Sequence, residues 1–223
     1  MPRKPRIVIP NHAHHVVQRG SRKQTVFFTK EDYEFYLNWF KEYSTKYNIQ
    51  VLAYCLMSNH VHHILIPEKV ADLSKFLKSL HVKYAFRINK RHDWQGHLWQ
   101  ERYFSTPMDE TYIWSCIRYV ERNPVDAGIV TAAWDYEWSS ANSRCNGIKN
   151  SLLNYNQNWS EFINQKKNWK KWLGEEEDLK KIERIRERTR RDLPCGTDRF
   201  VNYLEQKYHR SLKVKSVGRP RKE

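Results

Sequence analysis

Met57-Ser58-Asn59-His60-Val61-His62-His63-Ile64-Leu65-Ile66 reads as a tight turn followed by a strand. Alternate side chains on a strand point to opposite faces. His60 and His62 therefore share one face, about 7 Å apart along the chain, and Ile64 and Ile66 carry that face into a core. Two imidazoles on a stiff apolar strand can bind one divalent cation with one or two further ligands. The same spacing also suits a pair of ordinary surface or core histidines, so the source of a third ligand decides between the two.

Working outward, Gln50–Met57 is an apolar strand that the Ser58-Asn59 turn folds back onto the histidine strand. Before it, Lys30–Tyr47 has helical periodicity through Tyr33, Tyr36, Leu37, Phe40 and Tyr43. Ile7-Val8-Ile9-Pro10 and His14–Gln18 read as an opening strand closed at Arg19-Gly20. After it, Leu73–Arg91 is a second helix, and 96–106 holds one or two short strands, His97-Leu98-Trp99 and Tyr103-Phe104. A third helix is expected from Asp109, its N-cap, to Asn123, with Pro124 ending it. This order predicts an α+β fold, an antiparallel ferredoxin-like sheet with helices packed on it. Beyond Trp138, helices are expected over 159–173, 175–192 and Thr197–Tyr208. The expected division is 1–145 as the main domain, 146–210 as a helical C-terminal extension, and 211–223 as a basic flexible tail.

The formal net charge is +15 over 223 residues. Residues 1–30 contain seven Lys or Arg and no carboxylate, and 207–223 contain seven against Glu223 alone. Such a chain attracts polyanions, of which nucleic acid is the commonest. Nine Trp and thirteen Tyr can stack on unpaired bases, although most must fill the core. Cys55, Cys116, Cys145 and Cys195 are far apart, giving neither a zinc ribbon nor a disulfide framework. No signal-peptide segment or spanning-length apolar run is present, so a cytoplasmic, nucleoid-associated protein with no membrane partner is expected.

On a wheel of the third helix, Ile113, Ile117 and Val120 form the stripe facing the sheet. Cys116 and Asn123 flank it, and Tyr119 lies one turn before Asn123 near its edge. Helix geometry alone does not single out this tyrosine. Taken in order, Tyr54-Cys55 with Met57–His62, Gly96-His97-Leu98-Trp99-Gln100-Glu101-Arg102-Tyr103, Tyr119-Val120-Glu121-Arg122-Asn123-Pro124-Val125-Asp126-Ala127-Gly128 and Trp138-Ser139-Ser140 resemble the REP-associated tyrosine transposases, of the single-tyrosine HUH superfamily. The resemblance runs from about Arg3 to Ser140, with further stretches at 196–205 and 218–222.

The resemblance implies an HUH nuclease fold and an endonuclease and strand transferase that cuts single-stranded DNA through a covalent 5′-phosphotyrosine. It implies Tyr119 as the nucleophile and His60, His62 and Asn123 as ligands of a divalent cation. Mixed nitrogen and oxygen ligation suits Mg²⁺ or Mn²⁺. The family often has Arg where Asp126 stands and Leu where His63 stands. His63, on the opposite strand face, reads as a packing or DNA-side residue. His12, His14 and His15 carry no assigned ligand role.

The resemblance also places recognition of a tetranucleotide beside a DNA hairpin near Gln18, Arg19, Gly20, Arg22 and Lys23, where glycine lets a basic loop approach DNA closely. Arg102 and Trp99 are further candidates, and Arg219 and Arg221 of the tail would bind phosphates or an A·T minor groove. A monomer acting on REP-type hairpins is expected. The rival readings are a non-catalytic DNA-binding protein on this fold and a structural or RNA-binding module with an incidental histidine pair.

Overall fold

The computed structural model describes residues 5–214. Its sheet has four antiparallel strands in the order β2-β3-β1-β4. These are β1 (His14–Arg19), β2 (Ile49–Met57), β3 (His60–Pro67) and β4 (Phe104–Pro107). This is the ferredoxin-like order, and it places the histidine strand centrally. Three long helices interleave with the strands: α1 (Lys30–Lys46), α2 (Val70–His92) and α3 (Glu110–Asp126). The C-terminal region adds α4 (Ser140–Asn146), α5 (Gln157–Asn164), α6 (Trp169–Gly174), α7 (Leu179–Arg190) and α8 (Asp198–Tyr208).

Helices cover both sheet faces, and the strand alternation dictates which residues meet which layer. Val16, Tyr54, Leu56, Val61 and Leu65 pack with Tyr36 and Phe40 of α1 and with Leu73, Phe76, Leu77 and Leu80 of α2. Ala53, Cys55, Met57, Ile64 and Ile66 pack on the other side with Ile113, Cys116, Ile117 and Val120 of α3. Ile163, Trp169, Trp172, Ile182 and Ile185 join that second core. Residues of the C-terminal extension therefore share a core with the sheet. Apolar burial of this kind contributes about 25 cal/mol per Å² removed from water.

Several elements depart from the sequence expectation. Ile7, Val8 and Ile9 are buried but form no strand; Ile7 and Ile9 pack instead with Val201, Leu204 and Leu212. Leu212 is fully buried, so packing continues past the predicted start of the tail. Trp99 makes only a single bridge to Gly20, and the fourth strand begins at Phe104. Pro124 lies inside α3 and does not end it. Pro124 gives up the bond its N–H would make to the Val120 carbonyl and crowds that carbonyl with its ring, a cost the packing of α3 absorbs. Past Asp126, Gly128 adopts a left-handed φ of 68° and its N–H reaches the Val125 carbonyl, the usual glycine exit from a helix. Asp109 occupies the N-cap position, yet its carboxylate accepts the Thr197 N–H at 2.6 Å. The single helix expected over 159–173 is two, because Asn168 caps a new start by accepting the Lys171 N–H. Asp178 likewise caps α7 and delays its start to Leu179. Among the described residues, no helix is long and apolar enough to cross a membrane.

Candidate active site on the α3 face of the sheet

The sheet register sets the histidines. Arg19 pairs with His60 and Val17 with His62 on β1, while Met57 and Cys55 oppose them on β2. The two imidazole centroids are 4.9 Å apart. Each ring has its Nδ1 engaged. His60 Nδ1 lies 2.6 Å from Asn59 Oδ1, and His62 Nδ1 lies 2.9 Å from His15 Nε2. His15 Nδ1 in turn contacts Thr189 Oγ1 at 2.9 Å. Such partners fix ring orientation and leave each Nε2 as the open nitrogen, as in metal-binding histidines. Burial holds the His60 pKa down to about 4, assisted by the Arg19 charge, and drives that of His62 well below its ordinary value. Both rings are therefore neutral at neutral pH, the form that ligates metal.

Helix α3 brings Tyr119 to the same place. Its ring centroid is 5.6 Å from that of His62 and 5.9 Å from that of His15, edge-on to both. Tyr119 is 8% exposed, and burial raises its pKa while hydrogen bonding and charge from Arg186 oppose the shift. Asn123, one turn on, donates its Nδ2 to the Tyr119 carbonyl at 2.9 Å, leaving Oδ1 as the amide's acceptor. Among the described residues no three His, Cys, Asp or Glu side chains group as a metal site. A cation beside the two imidazoles would need an oxygen ligand of another kind.

Helix α7 forms the far wall. Ile182, Ile185 and Thr189 turn inward, buried. The cleft beside them measures about 1230 Å³, bordered by His15, His62 and Tyr119 and by Lys180, Arg186 and Arg190. In the sequence α7 shows only as part of a helix over 175–192, and nothing there links it to Tyr119. His15 has the right strand parity to face His62, which is the one sequence signal for its role.

The predicted DNA-side residues fall into separate environments. Arg22 and Lys23 are exposed on a turn with φ of 52° and 62°, and Arg19 and Lys23 border the cleft. Gly20 is buried where its neighbours leave no room for a side chain. Gln18 does not belong to the exposed loop: it is 3% exposed, with its amide donating to the Glu101 carbonyl. Arg102 is exposed and borders a different cavity, of about 450 Å³, together with Gln18, His81 and Tyr103. Trp99 is core, its indole N–H bonded to the His81 carbonyl. His63 is fully buried against Tyr36 and Phe40, on the face away from the site. Arg219 and Arg221 lie outside the described residues.

A family model and one solved structure agree with this fold. A family model described as "Transposase IS200 like" matches residues 8–123, just over half of the chain. Nothing among curated proteins matches. Among solved structures, a REP-associated tyrosine transposase bound to a REP hairpin is similar, with 16% identity and a TM-score of 0.56, covering 70% of this chain and 93% of that one. A protein described as a transposase of Deinococcus radiodurans R1 has 20% identity and a TM-score of 0.38, covering 54% of this chain and 97% of that one.

Proposed function

Because the chain belongs to the IS200-like transposase family, we propose that it is a single-stranded DNA endonuclease and strand transferase with Tyr119 as its nucleophile. The observation carrying this reading is the approach of the Tyr119 ring to His62, 5.6 Å between centroids, beside the paired rings of His60 and His62. In the proposed step the Tyr119 hydroxyl gives up its proton and bonds to phosphorus. The P–O3′ bond breaks, and the departing strand end takes a proton to become a 3′-OH. The product is a 5′-phosphotyrosine, and attack by a 3′-OH reverses the step and rejoins strands.

A phenol with an ordinary pKa near 10 is a weak nucleophile at neutral pH, and burial raises this one further. Nε2 of His60, Nε2 of His62 and Oδ1 of Asn123 would hold Mg²⁺ or Mn²⁺. A bound cation of that kind supplies Lewis-acid stabilisation of charge on the phosphate oxygens. Asn59 and His15 keep the two imidazoles turned for that purpose.

The substrate read from the related complex is hairpin DNA of the REP type, entering past Arg19, Arg22 and Lys23, with Arg219 and Arg221 as additional phosphate contacts. Tyrosine and histidine pair come from one chain, which supports action as a monomer, and a DNA substrate in the nucleoid implies a cytoplasmic site of action. The test uses a pool of hairpin oligonucleotides with randomised single-stranded flanks and Mg²⁺ or Mn²⁺. Wild-type protein is expected to form a covalent adduct that survives denaturation, while Tyr119→Phe binds the hairpin equally and forms none. An adduct from Tyr119→Phe, or none from the wild type, defeats the assignment, and the latter favours a non-catalytic DNA-binding protein.

A further inference from the structure

Arg186 stands outside the buried stripe of α7, yet it does not extend into solvent alone. Its guanidinium carbon is 5.1 Å from the centroid of the Tyr119 ring. Its Nη2 is 3.7 Å from Oδ2 of Asp126. Tyr119 and Asp126 are seven residues apart on α3, two turns along nearly the same face. The guanidinium therefore bridges a carboxylate anchor and the ring of the proposed nucleophile. It also borders the cleft that contains His15, His62 and Tyr119.

The chemistry of the group suits a reacting phosphate. A guanidinium is always charged and has five N–H donors in a rigid fork that matches phosphate oxygens. Asp126 can engage at most two of them. When an oxygen attacks a phosphodiester, negative charge builds on the non-bridging oxygens, and a fixed cation beside them needs no reorganisation as the charge develops. Resting on the reading of Tyr119 as nucleophile, we propose that Arg186 is a further catalytic residue. Anchored by Asp126, it holds the Tyr119 ring and binds a non-bridging oxygen of the phosphate that Tyr119 attacks. The C-terminal extension is then part of the active site, supplied from beyond residues 8–123.

The experiment measures single-turnover adduct formation by the full chain with Mg²⁺ on the same oligonucleotide pool, alongside hairpin affinity and melting temperature. Arg186→Ala is expected to lower the rate constant at saturating DNA by about tenfold or more, with affinity changed less than about threefold. Arg186→Lys should recover part of the rate, because it restores charge without the fork. Asp126→Arg added to Arg186→Ala should also recover part, because the carboxylate it replaces lies 3.7 Å from the original guanidinium. A packing role would not be rescued by a cation rooted on a different helix. Three results overturn the role of Arg186 alone. They are an Arg186→Ala rate within about twofold of wild type, a loss confined to DNA affinity, and a loss that neither cationic variant recovers. Absence of any adduct from the wild type overturns the Tyr119 assignment and this role with it.

Discussion

Gly20 shows how tightly single positions are set around the site. Its φ of −60° is ordinary, so the demand for glycine is spatial. A Cβ there would meet the Gln24 carbonyl oxygen at 2.3 Å and Val26 Cγ1 at 2.7 Å. Val26 is fully buried, and its carbonyl accepts the Tyr84 hydroxyl at 2.7 Å, so it has no room to yield. Gly20→Ala is expected to cost roughly 1–3 kcal/mol, as overpacking does, and to displace Arg22 and Lys23 enough to weaken hairpin binding. Denaturant midpoints and affinity measured together check this; an unchanged midpoint would show that the loop relaxes freely. At this scale the histidine pair was legible, because a period of two fixes its facing from the chain alone. The placing of Tyr119 beside that pair was legible only through its motif, since helix geometry does not single it out among thirteen tyrosines. Arg186 was not legible at all. Its meaning comes from a packing contact between α3 and α7 that no local pattern encodes.

Between elements, the tie from α1 to α2 is a half-buried ion pair, with Asp32 inside and Arg91 at the surface. Asp32, completely buried in the first turn of α1, accepts N–H groups from Phe28 and Thr29 at 2.9 and 3.0 Å. Both of its oxygens also take the Arg91 guanidinium, at 2.5 and 2.7 Å. Burial works to raise its pKa, but Arg91 and the two backbone donors outweigh it, so the carboxyl titrates below its usual value. With the folded pKa depressed, the stabilisation is complete above the unfolded pKa of about 3.9 and is lost as pH falls through the folded one. Asp32→Asn removes the charge that Arg91 pairs with and is expected to lose about 1–3 kcal/mol at neutral pH, because the exposed Arg91 side chain regains water. Its stability should also vary less below about pH 4 than that of the wild type. Parallel pH-dependent slopes for the two proteins would assign the acid sensitivity elsewhere. Element types were largely legible from periodicity, whereas boundaries failed where one side chain decides them. Asn168 starts a second helix inside a stretch that hydropathy runs together, Asp178 sets where α7 begins, and Gly128, not Pro124, governs the end of α3.

For the whole molecule, the excess of +15 matters through where cations gather. The cleft is bordered by Arg19 and Lys23 on the sheet side and by Lys180, Arg184, Arg186 and Arg190 on α7; among the described residues that line it, Glu183 and Glu187 oppose them. A single strand threaded between those walls would release counterions from each phosphate it presents. If about six phosphates are neutralised, the logarithm of the binding constant should fall against the logarithm of salt with a slope of roughly −4 to −5. Substituting Arg22 and Lys23 together by alanine should make the slope shallower by about 1.5, because each lost phosphate contact removes just under one. Lys83 provides the control, since it lies over the Trp39 ring in the α1–α2 layer on the far side of the sheet. Lys83→Ala should leave the slope unchanged. Equal changes per charge removed would mean that net charge, and not this cleft, holds the DNA. The path of the strand past Tyr119 would then have to be drawn elsewhere.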